Sequence, residues 1–100
     1  MRIIAKWAPV TFWTRHPEIE QPLKAWHQTV KHVTWANSAE VKQTFAKVSI
    51  INHERVGLDI LGGNYRLIAS IDYKREIVFA KFLGTHSEYD KIDAATVSSY

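Results

Sequence analysis

Tyr65-Arg66-Leu67-Ile68-Ala69-Ser70-Ile71-Asp72-Tyr73 alternates residue by residue. Tyr65, Leu67, Ala69 and Ile71 fall on one side of an extended chain, and Arg66, Ile68, Ser70 and Asp72 on the other. That period of two predicts a strand. Just upstream, Val56, Leu58 and Ile60 alternate with Gly57, Asp59 and Leu61, and the intervening Gly62-Gly63-Asn64 is turn chemistry. Downstream, after Lys74-Arg75, Glu76 to Leu83 reads as a further strand. Val78, Ala80 and Phe82 share one of its sides; Ile77, Phe79, Lys81 and Leu83 share the other. The period changes at about Ser49, and from there the chain is an antiparallel meander.

The first half reads differently. Arg2-Ile3-Ile4-Ala5 predicts a short strand. Pro9 opens a helix whose apolar side carries Val10, Trp13 and Phe12, and Pro17 ends it. A longer helix runs from Glu18 to about His32. Its apolar residues Ile19, Leu23, Trp26, Val30 and Val33 form a helical stripe, opposite Lys24, His27, Gln28 and Lys31. Asn37-Ser38-Ala39-Glu40 has the form of a capping box, starting a short helix through Phe45. The expected fold is α+β, a single domain over 1–100: N-terminal helices packed on one face of a small, mainly antiparallel sheet, with a short C-terminal helix.

Composition narrows the function classes. Apolar residues make up 46% and charged ones 23%, which suits a folded domain and argues against disorder. A net charge of +3 is compatible with a nucleic-acid partner without specifying one. The absence of cysteine removes disulfides, thiol nucleophiles and thiolate metal sites. His16, His27, His32 and His53 show no metal-ligand spacing. There is no Gly-rich phosphate loop, nucleophile elbow or helix-turn-helix signature. No apolar run has the length of a membrane span and no signal-peptide pattern opens the chain, so a cytoplasmic location is expected. Trp7, Trp13, Trp26 and Trp35 all lie in the helical half, as core or partner-contact residues.

The chemistry concentrates in Leu83-Gly84-Thr85-His86-Ser87-Glu88-Tyr89-Asp90-Lys91-Ile92. Thr85-x-x-Glu88 is a second capping box, which places His86 at the first helical position and Tyr89 on the same side three residues later. The free N–H groups and partial positive charge of a helix start suit a phosphate. The bland alternative is a helix that merely caps the sheet, with Tyr89 packed and His86 solvated. A two-residue loop at Lys74-Arg75 pairs Tyr73 with Glu76, Ile68 with Lys81 and Arg66 with Leu83. Arg66 and Lys81 are then diagonal neighbours roughly 7–8 Å apart, with Asp59 or Leu61 on the far side of Arg66. Two cations on a partly apolar sheet, rimmed by His86 and Tyr89, make a cradle for a backbone phosphate and a stacked base. The plainer alternatives are an Arg66–Asp59 ion pair and a solvated Lys81.

Arg15-His16-Pro17 between two helices, Leu58-Asp59-Ile60, Gly62-Gly63-Asn64-Tyr65-Arg66-Leu67-Ile68-Ala69, and Lys81-Phe82-x-Gly-Thr-His-x-Glu-Tyr-Asp-Lys occur in one order along nearly the whole chain. In this it resembles HigB-type toxins of bacterial type II toxin–antitoxin systems, within the RelE-like ribonuclease fold. The resemblance implies an mRNA interferase that cleaves mRNA in a translation-dependent way on the ribosome. It also implies a cognate HigA-type antitoxin that carries the DNA-binding element, and no metal or organic cofactor. Metal-free cleavage uses the RNA's own 2′-hydroxyl and needs a base, an acid and cations. The candidate catalytic residues are Arg66 for charge stabilisation, Lys81 as second cation or proton donor, His86 as base or acid, and Tyr89 to orient the phosphate, stack a base or supply a proton. Lys91, Asn64 and Arg55 are the expected RNA contacts. The alternatives are a catalytically inactive RNA- or ribosome-binding module of the same fold, and an interaction protein working through its tryptophans.

Overall fold

The computed structural model describes residues 1–5 and 13–97. The expected helix start at Pro9, with Val10 and Phe12, and also Trp7, lie outside the described residues; Trp13 to Arg15 are helical. Strand β1 is Arg2–Ala5. Pro17 opens a 3-10 turn, Pro17–Ile19, which leads directly into helix α1, Glu20–Lys31. Helix α2 is Ser38–Thr44, and strands β2 (Ser49–Ile50), β3 (Arg55–Ile60), β4 (Tyr65–Asp72) and β5 (Ile77–Thr85) follow. The four-residue helix α3, His86–Tyr89, comes next.

The five strands form one sheet in the order β1-β5-β4-β3-β2. The meander β2 to β5 is antiparallel, and β1 joins the far edge parallel to β5. The predicted stripe is what packs. Ile19, Leu23, Trp26 and Val30 are buried in one cluster with Val56, Leu58, Ile60, Tyr65, Leu67, Ala69, Ile71, Val78 and Leu83, and Val33 packs at its margin. Full burial of each such side chain contributes about 1.5–3 kcal/mol. Trp26 and Trp35 are core residues, and the Trp35 indole N–H donates to Thr44 Oγ1 at 2.9 Å.

Helix α2 is capped as expected at one end of its box. Asn37 Oδ1 accepts from the Glu40 N–H at 3.1 Å, while the Glu40 carboxylate reaches one residue farther back, to the Ala36 N–H. The β3–β4 turn is Leu61 to Asn64, with positive φ at Leu61, Gly62 and Gly63, and it sets Asp59 opposite Arg66.

Strands β4 and β5 begin in the expected register, with Asp72 opposite Ile77 and Ser70 opposite Phe79. The register then shifts between Ile68 and Ala69: Ala69 faces Ala80 and Ile68 faces Phe82, leaving Lys81 as the extra residue of a β-bulge. Beyond the bulge the two sides of β5 exchange. Leu83 therefore enters the core opposite Leu67, and Phe82 lies opposite Ile68 on the face away from α1. This corrects the expected sidedness of Phe82 and Leu83, and Arg66 faces Gly84 rather than Leu83.

Candidate functional site

The face away from α1 presents Arg55, Gly57 and Asp59 from β3, Arg66, Ile68 and Ser70 from β4, and Phe79, Phe82 and Gly84 from β5, as the pairing dictates. Arg66 is its centre. The side chain is only 7% exposed, and Nη1 donates to Asp59 Oδ1 at 2.7 Å. Nη2 lies 3.3 Å from Ser49 Oγ. The guanidinium extends diagonally across Gly57, where a Cβ would stand 2.5 Å from Nη2. Strand position 57 must therefore be glycine for the arginine to lie flat. The other side of the guanidinium is covered by the Tyr89 ring, 4.8 Å from Cζ to the ring centroid. Burial works against the charge, but Asp59 and Tyr89 outweigh it, and the Arg66 pKa is raised above the usual arginine value. Arg66 Nε is buried without a hydrogen-bond partner.

Tyr89 and His86 are brought in by α3. The capping box is complete: Thr85 Oγ1 accepts from the Glu88 N–H at 3.2 Å, and Glu88 Oε1 accepts from the Thr85 N–H at 2.8 Å. Those bonds hold the Glu88 carboxyl below its usual pKa, chiefly through the Thr85 backbone N–H. The His86 N–H donates to the Asn64 carbonyl at 3.2 Å, tying the helix to the β3–β4 turn. The His86 and Tyr89 rings are 6.0 Å apart, and Tyr89 also lies 6.4 Å from Phe82. His86 Nδ1 is 3.6 Å from Asp90 Oδ2, and the imidazole is 59% exposed. Asp90 thus lies beside one ring nitrogen as an ion-pair partner for the protonated ring, and the imidazole stays open to solvent.

The predicted residues divide. Arg66, Tyr89 and His86 form one chain of contacts. Lys81 is set apart by the bulge, with Nζ 5.5 Å from the centroid of Phe79, so it is not the expected diagonal neighbour of Arg66. Lys91 and Asn64 are exposed, on the same end of the sheet as α3. Arg55 is buried, and its Nη1 donates to the carbonyls of Ala94 at 3.2 Å and Val97 at 2.7 Å. The residues that sequence reasoning missed are Gly57, Ser49, Phe82 and Asp90. A glycine inside an alternating strand signals close approach, and the His-x-x-x-Asp spacing of 86 and 90 is a helical pair; these two were legible in principle.

A neighbouring cluster braces the site from the core side. The Tyr65 hydroxyl donates to Glu18 Oε1 and lies 3.1 Å from His16 Nδ1. Burial, then Glu18 and Glu88, push the Tyr65 phenol up to about 12, so it stays a donor. His16-Pro17-Glu18 is thereby joined to the strand residue opposite Thr85. Among the described residues no group of three His, Asp or Glu side chains is placed to hold a metal ion, and no helix is long and apolar enough to cross a membrane. A cavity of about 360 Å³ lies on the other side of the sheet, against Ile3, Trp13, Leu23 and Trp26, away from these groups.

Comparison with known proteins bears on this arrangement. The family model HigB_toxin, described as the RelE-like toxic component of a toxin-antitoxin system, matches residues 19–92. A curated relative, the mRNA interferase HigB of Escherichia coli O6:H1 (strain CFT073), is 28% identical over 95 residues, covering 92% of this chain and 91% of the relative. The matched span begins at the first buried residue of the helical stripe and ends just past α3, so it takes in β2 to β5 and both the helices that back the sheet and the one that carries His86 and Tyr89. The chain belongs to the HigB family, the RelE-like toxins of toxin–antitoxin systems.

Proposed function

We propose that this toxin is an mRNA interferase: an endoribonuclease that cleaves mRNA on the translating ribosome, in the cytoplasm, without a metal ion, and that a HigA-type antitoxin silences. The observation that carries the reading is the Arg66 guanidinium held between Asp59 and Tyr89, with the exposed His86 imidazole beside the same tyrosine. The name of the Escherichia coli relative supports the substrate class.

In the proposed reaction the 2′-oxygen bonds to the adjacent phosphorus and the P–O5′ bond breaks, leaving a cyclic phosphate and a free 5′-hydroxyl. His86 takes the 2′-hydroxyl proton or gives one to O5′, with Asp90 beside its ring, and solvent water carries the complementary proton. Arg66 stabilises the extra negative charge on the phosphorane through its fixed donor fork. Tyr89 covers that fork, so the ring swings aside when the phosphate enters. Giving up the stacked contact costs about 0.5–2 kcal/mol, which a charge-assisted phosphate contact offsets. The displaced phenol then stacks a base or orients the phosphate. Lys81 and Lys91 supply longer-range attraction to the RNA from the rim, and Asn64 supplies a short-range polar contact.

Arg66→Ala and His86→Ala are each expected to abolish toxicity on induction in a bacterial host while keeping the wild-type circular dichroism spectrum. Full toxicity of both folded variants removes them from the site. Growth arrest by the wild type without RNA cleavage favours the non-cleaving ribosome-binding module instead.

A further inference from the structure

Arg55 is a buried guanidinium that the proposed chemistry does not use. Its partners are backbone carbonyls 39 and 42 residues away, at Ala94 and Val97. The chain between α3 and those carbonyls is a run of consecutive turns. Asp90, Lys91 and Ile92 N–H groups donate back to His86, Glu88 and Tyr89, and Thr96 and Val97 donate to the Asp93 carbonyl. Asp93 Oδ1 also accepts from the Ala95 N–H. Arg55 therefore occupies the place of a C-cap, satisfying carbonyls that a helical turn leaves open.

Helix α3 needs such an anchor. Four residues are far too few to hold a helix by themselves, and none of the four is buried. Its N-terminal end is fixed by the capping box and by the Asn64 carbonyl. Its other end carries Tyr89 against Arg66 and Phe82, and the chain beyond it turns at 90–92 and again at 93–97 before its carbonyls reach Arg55. Arg55 stands on the same strand face as Gly57 and Asp59, two and four residues before the positions that seat and pair Arg66.

We infer that Arg55 is a positioning residue rather than an RNA contact: by holding the Ala94 and Val97 carbonyls it fixes the segment that sets Tyr89 over Arg66 and His86 beside it. Its effect on cleavage rests on the proposed function; its effect on the segment does not. The test uses the full chain with Arg55→Ala and Arg55→Lys, the lysine variant keeping a cation and a donor should the alanine variant fail to fold. Hydrogen–deuterium exchange is expected to speed up over residues 86–97 in Arg55→Ala, to be partly restored in Arg55→Lys, and to stay unchanged in β4. The maximal rate of mRNA cleavage on translating ribosomes is expected to fall about tenfold, with the half-saturating concentration of mRNA-loaded ribosomes within about twofold, as for a misplaced catalytic group. Binding of a short single-stranded RNA, followed by fluorescence anisotropy across a salt series, is expected to keep the wild-type slope. A slope smaller by about 0.7 in log–log units, the mark of one lost phosphate contact on single-stranded RNA, overturns the inference, as does unchanged exchange over 86–97. If the wild type cleaves no mRNA on translating ribosomes, the proposed function fails, and the exchange result alone decides the role of Arg55.

Discussion

Replacing Gly57 by alanine tests the seat of Arg66. The added Cβ would stand 2.5 Å from Nη2 and 3.3 Å from Cζ, where an ordinary contact needs about 3.5 Å. The guanidinium must give way by roughly 1 Å. The atom that yields is the end of a long side chain, but that end is pinned by Asp59 at 2.7 Å, by Ser49 at 3.3 Å and by the Tyr89 ring. Overpacking of this kind costs about 1–3 kcal/mol. Removing a strand glycine returns about 0.5–1 kcal/mol. The net loss is about 1 kcal/mol, a fall in Tm of about 4–8 °C for a domain of this size. Catalysis is hit harder, because a displacement near 1 Å in a catalytic group costs about a hundredfold. Thermal unfolding of Gly57→Ala, Arg66→Ala and the double variant isolates the contact. In the Arg66→Ala background the same alanine fills vacated space and is expected to cost nothing or to stabilise. An equal loss of stability in both backgrounds refutes the claim that Gly57 exists to seat the guanidinium.

Three further outcomes follow from named contacts. Thr85→Ala removes the hydroxyl that accepts the Glu88 N–H, and is expected to cost about 1 kcal/mol in a denaturant titration while cutting cleavage more than that loss accounts for. Glu88 titrates below its usual value in the folded chain. Its contribution is therefore complete at neutral pH and is lost as pH falls below about 4.5, so the acid loss in stability-versus-pH curves should be larger for the wild type than for Glu88→Gln, in which Glu18 still contributes. Ile19→Ala, at a fully buried position at the end of the 3-10 turn that leads into α1, is expected to cost about 2–5 kcal/mol by the same titration; a loss under 1 kcal/mol would place Ile19 outside the core.

The fold was legible where local chemistry and periodicity agree. The 4-3-4-3 spacing of Ile19, Leu23, Trp26, Val30 and Val33 places the buried side of α1, and Thr85-x-x-Glu88 announces a capping box that forms with both bonds. The parallel docking of β1 beside β5 carries no local signal, since it joins strands at opposite ends of the chain. The bulge at Lys81 is silent for a different reason. Nothing in Ala80-Lys81-Phe82 marks an inserted residue, yet the insertion reverses every side chain beyond it and moves Phe82 to the face of the site. Arg55 reads as one more surface cation because its partners are main-chain carbonyls, which leave no trace in sequence. The Arg66–Tyr89–His86 grouping was visible as residue types at the right spacing, while the features that shape it, the bare backbone of Gly57 under the guanidinium and the Ser49 hydroxyl on the edge strand, depend on tertiary register.

The proposed function requires this sheet face to cleave translated mRNA through His86. The measurement that meets it most directly is transcriptome-wide mapping of new mRNA 5′ ends after induction of the wild-type chain beside His86→Ala in a bacterial host. New ends inside translated frames, present with the wild type and absent with the variant, are the predicted result. Growth arrest without new ends, or the same ends in both strains, contradicts the account.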